Sequence, residues 1–320
     1  MKRRLPRIDR TRVRTISARA RTSRVQKSDE ARPHRPGATL RDFLAGLPGL
    51  LAASDLRAVI DAAARAARRD KLLLWGFGAH LIKVGLAPVM VDLMQRGLVG
   101  GVLMNGAGCV HDLELAMMGR TSEDVARSLD DGSFGMARVT AEALNGAIAA
   151  GNTAGLGMGE AVGRAILAGR YPHKQRSILA TAARLGIPVT VHVAIGTDIH
   201  HMHPSADGAA LGATSYRDFE LLTRLVAALE GGVLFNIGSA VILPEVFLKA
   251  LALARNLGHR VDRFTTVNID FIRHYRPQMN VVERPTRKGG RGYALTGHHE
   301  LLVPLVAAGL IEALAKKARR

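Results

Sequence analysis

Two hydrophobic rhythms alternate along the chain. KLLLW (71–75), LVGGVLMN (98–105), IPVTVHVAI (187–195), GVLFNI (232–237) and RFTTVNID (263–270) are continuous apolar runs that end at or near a glycine or aspartate. Short runs of this kind predict strands buried on both faces. Between them, apolar residues recur at helical spacing. Thr39 reads as the N-cap of a helix over LRDFLAGL (40–47), and Ser54 as the cap of DLRAVIDAAARAARRD (55–70). HLIKVGLAPVMVDLMQRG (80–97), CVHDLELAMMG (109–119) and PEVFLKALALARNLG (244–258) each read as a helix after a strand, the last with Pro244 in its first turn. A final helix, opened by Glu300, is predicted over 300–320. Residues 130–170 read as helical excursions joined by glycine turns. No internal repeat is present.

Repeated strand–glycine–helix units specify an α/β fold, a Rossmann-like parallel sheet with helices on both faces. Ligands in such sheets bind outside the carboxyl ends of the strands. That puts WGFGAH (75–80), NGAGCVHD (105–112), GTDIHHMH (196–203), NIGSA (236–240) and NIDF (268–271) on one rim.

Charge changes the picture only at the start of the chain. The formal net charge is +18, and residues 1–38 hold 13 Lys/Arg against 3 Asp/Glu. This stretch has no apolar periodicity and is expected to be a disordered, solvated arm, ahead of a single domain over 39–320. A nucleic-acid or acidic-partner contact is a secondary reading of the arm, and its Arg-rich character also resembles a transit peptide. Cys109 is the only cysteine, so an intrachain disulfide and a cysteine-built zinc site are excluded. No run reaches the roughly 20 apolar residues of a membrane span. A cytoplasmic protein is expected.

The candidate chemistry lies on the rim. NGAGCVHDLE and WGFGAH are glycine turns before helices, suited to a nucleotide phosphate. Asp112 is alternatively a first-turn acid, as is Glu245 after NIGSAVILP. The stretch GTDIHHMHPSADG (196–208) gathers Asp198, His200, His201 and His203. It reads as a polar strand-end cluster with a substrate-facing carboxylate, as metal ligands, or as loop. GHHE (297–300) is a second such cluster, and RKGGRG (287–292) reads as a basic mobile loop.

Taken together, residues 75–114, IPVTVHVAIGTDIHHMH, VLFNIGSAVILPEVFLKALALARNLGH, TTVNID and VPLVAA resemble, in order and spacing, the deoxyhypusine synthase family from about residue 42 onward. The resemblance implies a Rossmann-like homotetramer that binds NAD near a subunit interface and a polyamine in an acidic pocket. It implies transfer of an aminobutyl-type group from a spermidine-like donor to a protein lysine or small amine, by way of a lysine imine. Carried over, Gly78, Ala79, His80, Ala107, Gly108, Gly238 and Ser239 would bind the cofactor. Asp112, His111, Asp198 and His201 would face the polyamine, and Asp198 and His203 would act in catalysis. No resident metal is implied. The family's Lys-His-His and Trp-Gly-Lys motifs are both absent; Lys288 stands three residues from the place expected of the imine-forming lysine. Two other functions fit the residues: a metal-dependent hydrolase using Asp198, His201, His203 and His298, or a non-catalytic nucleotide-binding protein.

Overall fold

The computed structural model describes residues 5–315. Six strands, β1 (Leu73–Phe77), β2 (Gly101–Asn105), β3 (Val189–His192), β4 (Val233–Ile237), β5 (Thr265–Asp270) and β6 (Arg291–Thr296), form one sheet in the order β3-β2-β1-β4-β5-β6. Every pair is parallel. This is the order of doubly wound dinucleotide-binding sheets, and it reverses between β1 and β4.

β1 to β5 are almost wholly buried because they feed two cores. Leu73, Trp75 and Phe77 of β1, with Val102, Met104, Val233 and Phe235, point into one cluster. Leu74, Leu103 and Leu234 point into the other, against Leu222, Val226, Phe247 and Leu251. Trp75 stacks on Phe235 at 4.0 Å and donates to the Leu98 carbonyl oxygen at 3.0 Å, so its one polar atom is satisfied inside the core.

The first core is covered by α1 (Leu40–Gly46), α2 (Leu51–Arg68), α3 (His80–Lys83), α4 (Ala87–Gln95) and α5 (Gly106–Met118). Thr39 caps α1 in a capping box with Asp42. α2 begins at Leu51, three residues ahead of Ser54, whose amide bonds back to the Leu50 carbonyl. The single helix expected over 80–97 is two, because Gly85 adopts a φ of +82° and Pro88 opens the next segment. After α6 (Val125–Leu129), residues 130–170 form α7 (Arg138–Thr153) and α8 (Met158–Ala168), followed by α9 (Ile178–Leu185). α10 (Gly208–Ala227) and α11 (Ile242–Asn256) cover the second core. A short α12 (Tyr275–Pro277) runs into a π-helical turn at Gln278–Glu283. α13 (His299–Leu314) closes the structure, and the continuation expected to residue 320 lies outside the described residues beyond 315.

β6 is the strand absent from the sequence reading. RGYALT is half exposed at the sheet edge, with only Leu295 buried, so it carries no continuous apolar signal. Residues 5–28 are exposed throughout and hold only isolated 3₁₀ turns. Arg32 ties the end of the arm to α1 through its bonds to the Gly46 and Ala45 carbonyls. Among the described residues, no helix is long and apolar enough to cross a membrane.

Candidate functional site

The sheet ladder runs one residue beyond the tips of β1 and β4. Gly78 donates to the Ile237 carbonyl at 2.9 Å and Gly238 to Ile269 at 3.0 Å. A Cβ on Gly78 would lie 2.5 Å from the Gly238 carbonyl oxygen. Gly238 has a φ of +60°, and its Cβ would lie 2.6 Å from Cε1 of His299. The tips therefore approach more closely than any side chain allows, leaving bare backbone where the strand order reverses. Asn236 donates to the Ser239 carbonyl at 2.9 Å and to Asn268 Oδ1 at 2.7 Å, which fixes the turn. Its own Oδ1 is buried without a partner.

Beside this floor stand His80, His299, Asp270 and Phe271. His299 Nε2 lies 3.2 Å from the Ile269 carbonyl oxygen, which can only accept, so Nε2 carries the proton. His299 Nδ1 then holds the lone pair. His80 Nδ1, 2.8 Å away, must donate to it. This tautomer chain leaves His80 Nε2 as a free base on an exposed side chain. Asp270 Oδ1 is 3.7 Å from His299 Nε2 and accepts the Phe271 N–H at 2.9 Å. Burial holds the His299 pKa below the usual histidine value, Asp270 acts against that, and His80 adds to it. Phe271 is 49% exposed, lies 6.1 Å from the His80 ring and stacks on His298.

A second group surrounds the tips of β2 and β3. The Asp198 carboxylate accepts from the backbone of Ala107, in the first turn of α5, and from the backbone of His201, whose turn it caps; the Thr197 side chain lies beside it and donates its hydroxyl proton to the Ala194 carbonyl at 2.7 Å. A Cβ on Gly106 would meet its Oδ2 at 2.0 Å. Burial raises the Asp198 pKa to about 6 against the hydrogen bond from Ala107. His201 Nδ1 accepts from Gly196 N (3.1 Å) and Asp198 N (3.3 Å), so its proton sits on Nε2. That Nε2 faces Asp198 Oδ2 at 3.8 Å, and both atoms are buried without a hydrogen-bond partner. His200 donates through Nδ1 to Asn145 Oδ1 at 2.8 Å; the amide is oriented by its own bonds to the His200 carbonyl and Ser205.

Ligand atoms of Asp198, His200 and His201 fall within 4.8 Å of one another. The donor chemistry does not suit a metal. A liganding imidazole normally gives its second N–H to an acceptor, whereas the second nitrogen of His201 already takes two backbone N–H groups. Metal binding there would break both bonds that shape the loop. Neither His203 nor His298 belongs to the cluster.

The other sequence candidates scatter. Asp112 is fully committed to the start of α9: it accepts from Ser177 Oγ (2.5 Å), Ile178 N (2.8 Å) and Leu179 N (3.0 Å). It is a buried helix cap, and the polyamine-facing role expected for it is not supported. Burial nonetheless lifts its pKa to about 6. Asp112→Ala should cost on the order of 3 kcal/mol, because three buried donors lose their acceptor; the urea midpoint reads this directly, and ligand binding at the β1/β4 tips should be unchanged. His111 bonds Thr121 (2.6 Å), which donates to Glu114, so it too is part of helix packing. Ala107 and Gly108 do not offer free amides to a cofactor: the first is held by Asp198 and the second by Asn105 Oδ1 at 3.1 Å. Among the described residues, the His203 side chain bonds only Ser205.

Lys288 is corrected outright. It is exposed in the turn before β6, at the amino end of the sheet. Six residues at about 3.3 Å each put roughly 20 Å between it and the rim, too far for a nucleophile in the same site. Two carboxylates missed by sequence reading are Asp270, hidden as the last residue of an apolar run, and Asp218. Asp218 caps α8 through Gly159 N (2.9 Å) and also takes Val191 N (2.8 Å); burial raises its pKa to about 7.

No family model matches the chain, and no curated protein matches it. Solved structures do. A conserved LOR/SDH-type protein from Methanococcus maripaludis S2 superposes with a TM-score of 0.51 at 13% identity, over 82% of this chain and 70% of that one. A protein assigned as a deoxyhypusine synthase from Entamoeba histolytica superposes with a TM-score of 0.51 at 11% identity, over 88% of this chain and 96% of that one. A weaker superposition, TM-score 0.49 at 14% identity, is with AgrE in complex with ornithine and NAD+, of which the chain spans 33%. At these identities the likeness establishes the fold: a parallel six-stranded α/β sheet shared with deoxyhypusine synthase-like and LOR/SDH-like proteins.

Proposed function

We propose that the chain is an NAD-dependent enzyme acting on a cationic amine, and that it moves an aminobutyl-type group directly from a polyamine to an acceptor amine. The observation that carries this reading is the close approach of the Gly78 and Gly238 backbones at the β1/β4 reversal, where a Cβ on Gly78 would strike the Gly238 carbonyl and one on Gly238 the His299 ring. A dinucleotide fits such a floor, with Ala79 and Ser239 beside it. Bound there, NAD would supply hydride acceptance and return. His80 Nε2 takes the proton released when the amine carbon is oxidised, and His299 and Asp270 hold the His80 ring and its charge. Phe271 walls off water. Asp270 and Asp198 supply the anionic ends. They belong to β5 and to the β2/β3 tips, three strand spacings or about 14 Å apart along the rim, a span that an extended polyamine can bridge. With Lys288 at the far end of the sheet, the acceptor amine adds to the oxidised donor carbon and the donor's remaining amine leaves as that C–N bond breaks, without a lysine imine between them. The acceptor is a small amine or a protein lysine, and a homotetramer is the assembly proposed from the resemblance.

The test uses the full chain with NAD, spermidine and a labelled diamine acceptor. Label should enter a larger polyamine without net NADH, and borohydride should trap no lysine. Absence of NAD binding by calorimetry, or a trapped lysine at Lys288, overturns the reading. Asp198→Asn should raise the KM for the amine at least tenfold. Because the carboxyl titrates near pH 6 and only its ionised form attracts a cation, wild-type affinity for the amine should fall about tenfold per pH unit below 6 and level off above it. That limb should vanish in Asp198→Asn.

A further inference from the structure

The amino end of the sheet carries a second feature. Arg65 and Arg69 from α2, Arg263 ahead of β5 and Arg291 at the start of β6 line one recess of ≈ 210 Å³. Its floor is glycine backbone, from Gly231, Gly232, Gly289 and Gly290. A Cβ on Gly232 would lie 2.4 Å from the Leu72 carbonyl oxygen, and one on Gly290 2.6 Å from the Phe264 carbonyl oxygen, so neither position admits a side chain without displacing a neighbouring strand start. No carboxylate lines the recess. Among the described residues, none of the four guanidinium groups forms an ion pair or a hydrogen bond; the nearby Glu230 is bonded to the backbone amides of Asp262 and Arg263 and attracts Arg263 from a distance, leaving Arg65, Arg69 and Arg291 without a counter-charge. Arg65 and Arg69 are moreover four residues apart, a like-charge pair that destabilises an isolated helix.

Four unpaired guanidinium groups converging from three parts of the chain repel one another unless an anion sits between them. Guanidinium groups match phosphate oxygens in a bidentate manner, and backbone without side chains admits close approach. We infer that this recess binds a compact oligophosphate, of the size of pyrophosphate or the polyphosphate end of a nucleotide. The small size of the recess and the absence of any exposed aromatic side chain in its lining for base stacking favour that occupant over a nucleic-acid strand, which is tracked by an extended groove with stacking platforms. The site is independent of the strand-tip cradle, from which it is separated by the length of the strands, roughly 20 Å.

Calorimetric titration of the full chain with pyrophosphate, at low and at physiological ionic strength, tests this. Saturable one-to-one binding is expected, weakened at least tenfold in the R65Q/R69Q double variant. It should be unchanged in Arg164→Gln, which removes one surface charge elsewhere, and in Gly78→Ala, which alters the strand tips. No saturable heat, or equal affinity in R65Q/R69Q and wild type, overturns the inference. So does a single-stranded oligonucleotide that depends on Arg65 and Arg69 yet is not displaced by pyrophosphate, because the phosphates would then come from a nucleic-acid backbone.

Discussion

Gly78→Ala should abolish dinucleotide binding, raising the Kd for NAD at least 100-fold, with a loss of about 1–3 kcal/mol of stability. The new methyl group would lie 2.5 Å from the Gly238 carbonyl oxygen, a backbone atom fixed by the β4–β5 ladder, so no rotamer change relieves the clash. The tips of β1 and β4 must separate, and the surface offered to the cofactor changes with them. A control separates loss of binding from loss of stability. Gly258 has a φ of +88° in open space, so Gly258→Ala strains the backbone by roughly 1–2 kcal/mol without touching the rim. Gly258→Ala should lose stability and keep NAD; Gly78→Ala should lose both. Retention of wild-type NAD affinity in Gly78→Ala would remove the cradle from the proposal.

The sheet could be read from sequence because its strands are buried on both faces. Continuous runs such as KLLLW and GVLFNI have no other economical explanation, and the glycine or aspartate at or near each of their ends marks the rim. β6 escaped because an edge strand needs only one buried residue, Leu295, and its glycines and arginines imitate a loop. The site was legible as a location more than as a set of roles. Gly78, His80, Gly238 and Ser239 do come together, since they follow directly from strand order. Asp112 was misassigned because a first-turn acid and a cap for another helix are the same letter; only the approach of Ser177 and α9 separates them. Lys288 failed for a topological reason: whether a loop precedes or follows a strand decides which end of a parallel sheet it occupies, and that strand had not been seen. The pairing of His80 with His299, across 219 positions of sequence, has no local signal at all.

That pairing carries the other large effect. His80→Gln should lower kcat by about 10²–10⁴-fold, the range for removal of a positioned general base, while NAD affinity stays within threefold of wild type. The Ile269 carbonyl fixes the proton of His299 on Nε2, His299 Nδ1 therefore accepts from His80 Nδ1, and His80 Nε2 is the atom left to take a proton from substrate. Glutamine retains a polar group at the rim and cannot serve as the base. His299→Gln tests the positioning half of the pair. It removes the acceptor that orients His80 and the ring that packs against Gly238, so kcat should fall less than in His80→Gln. An unchanged kcat in His80→Gln would assign the proton to another residue, and Asp270, with one carboxylate oxygen free of hydrogen-bond donors among the described residues, would be the next to substitute.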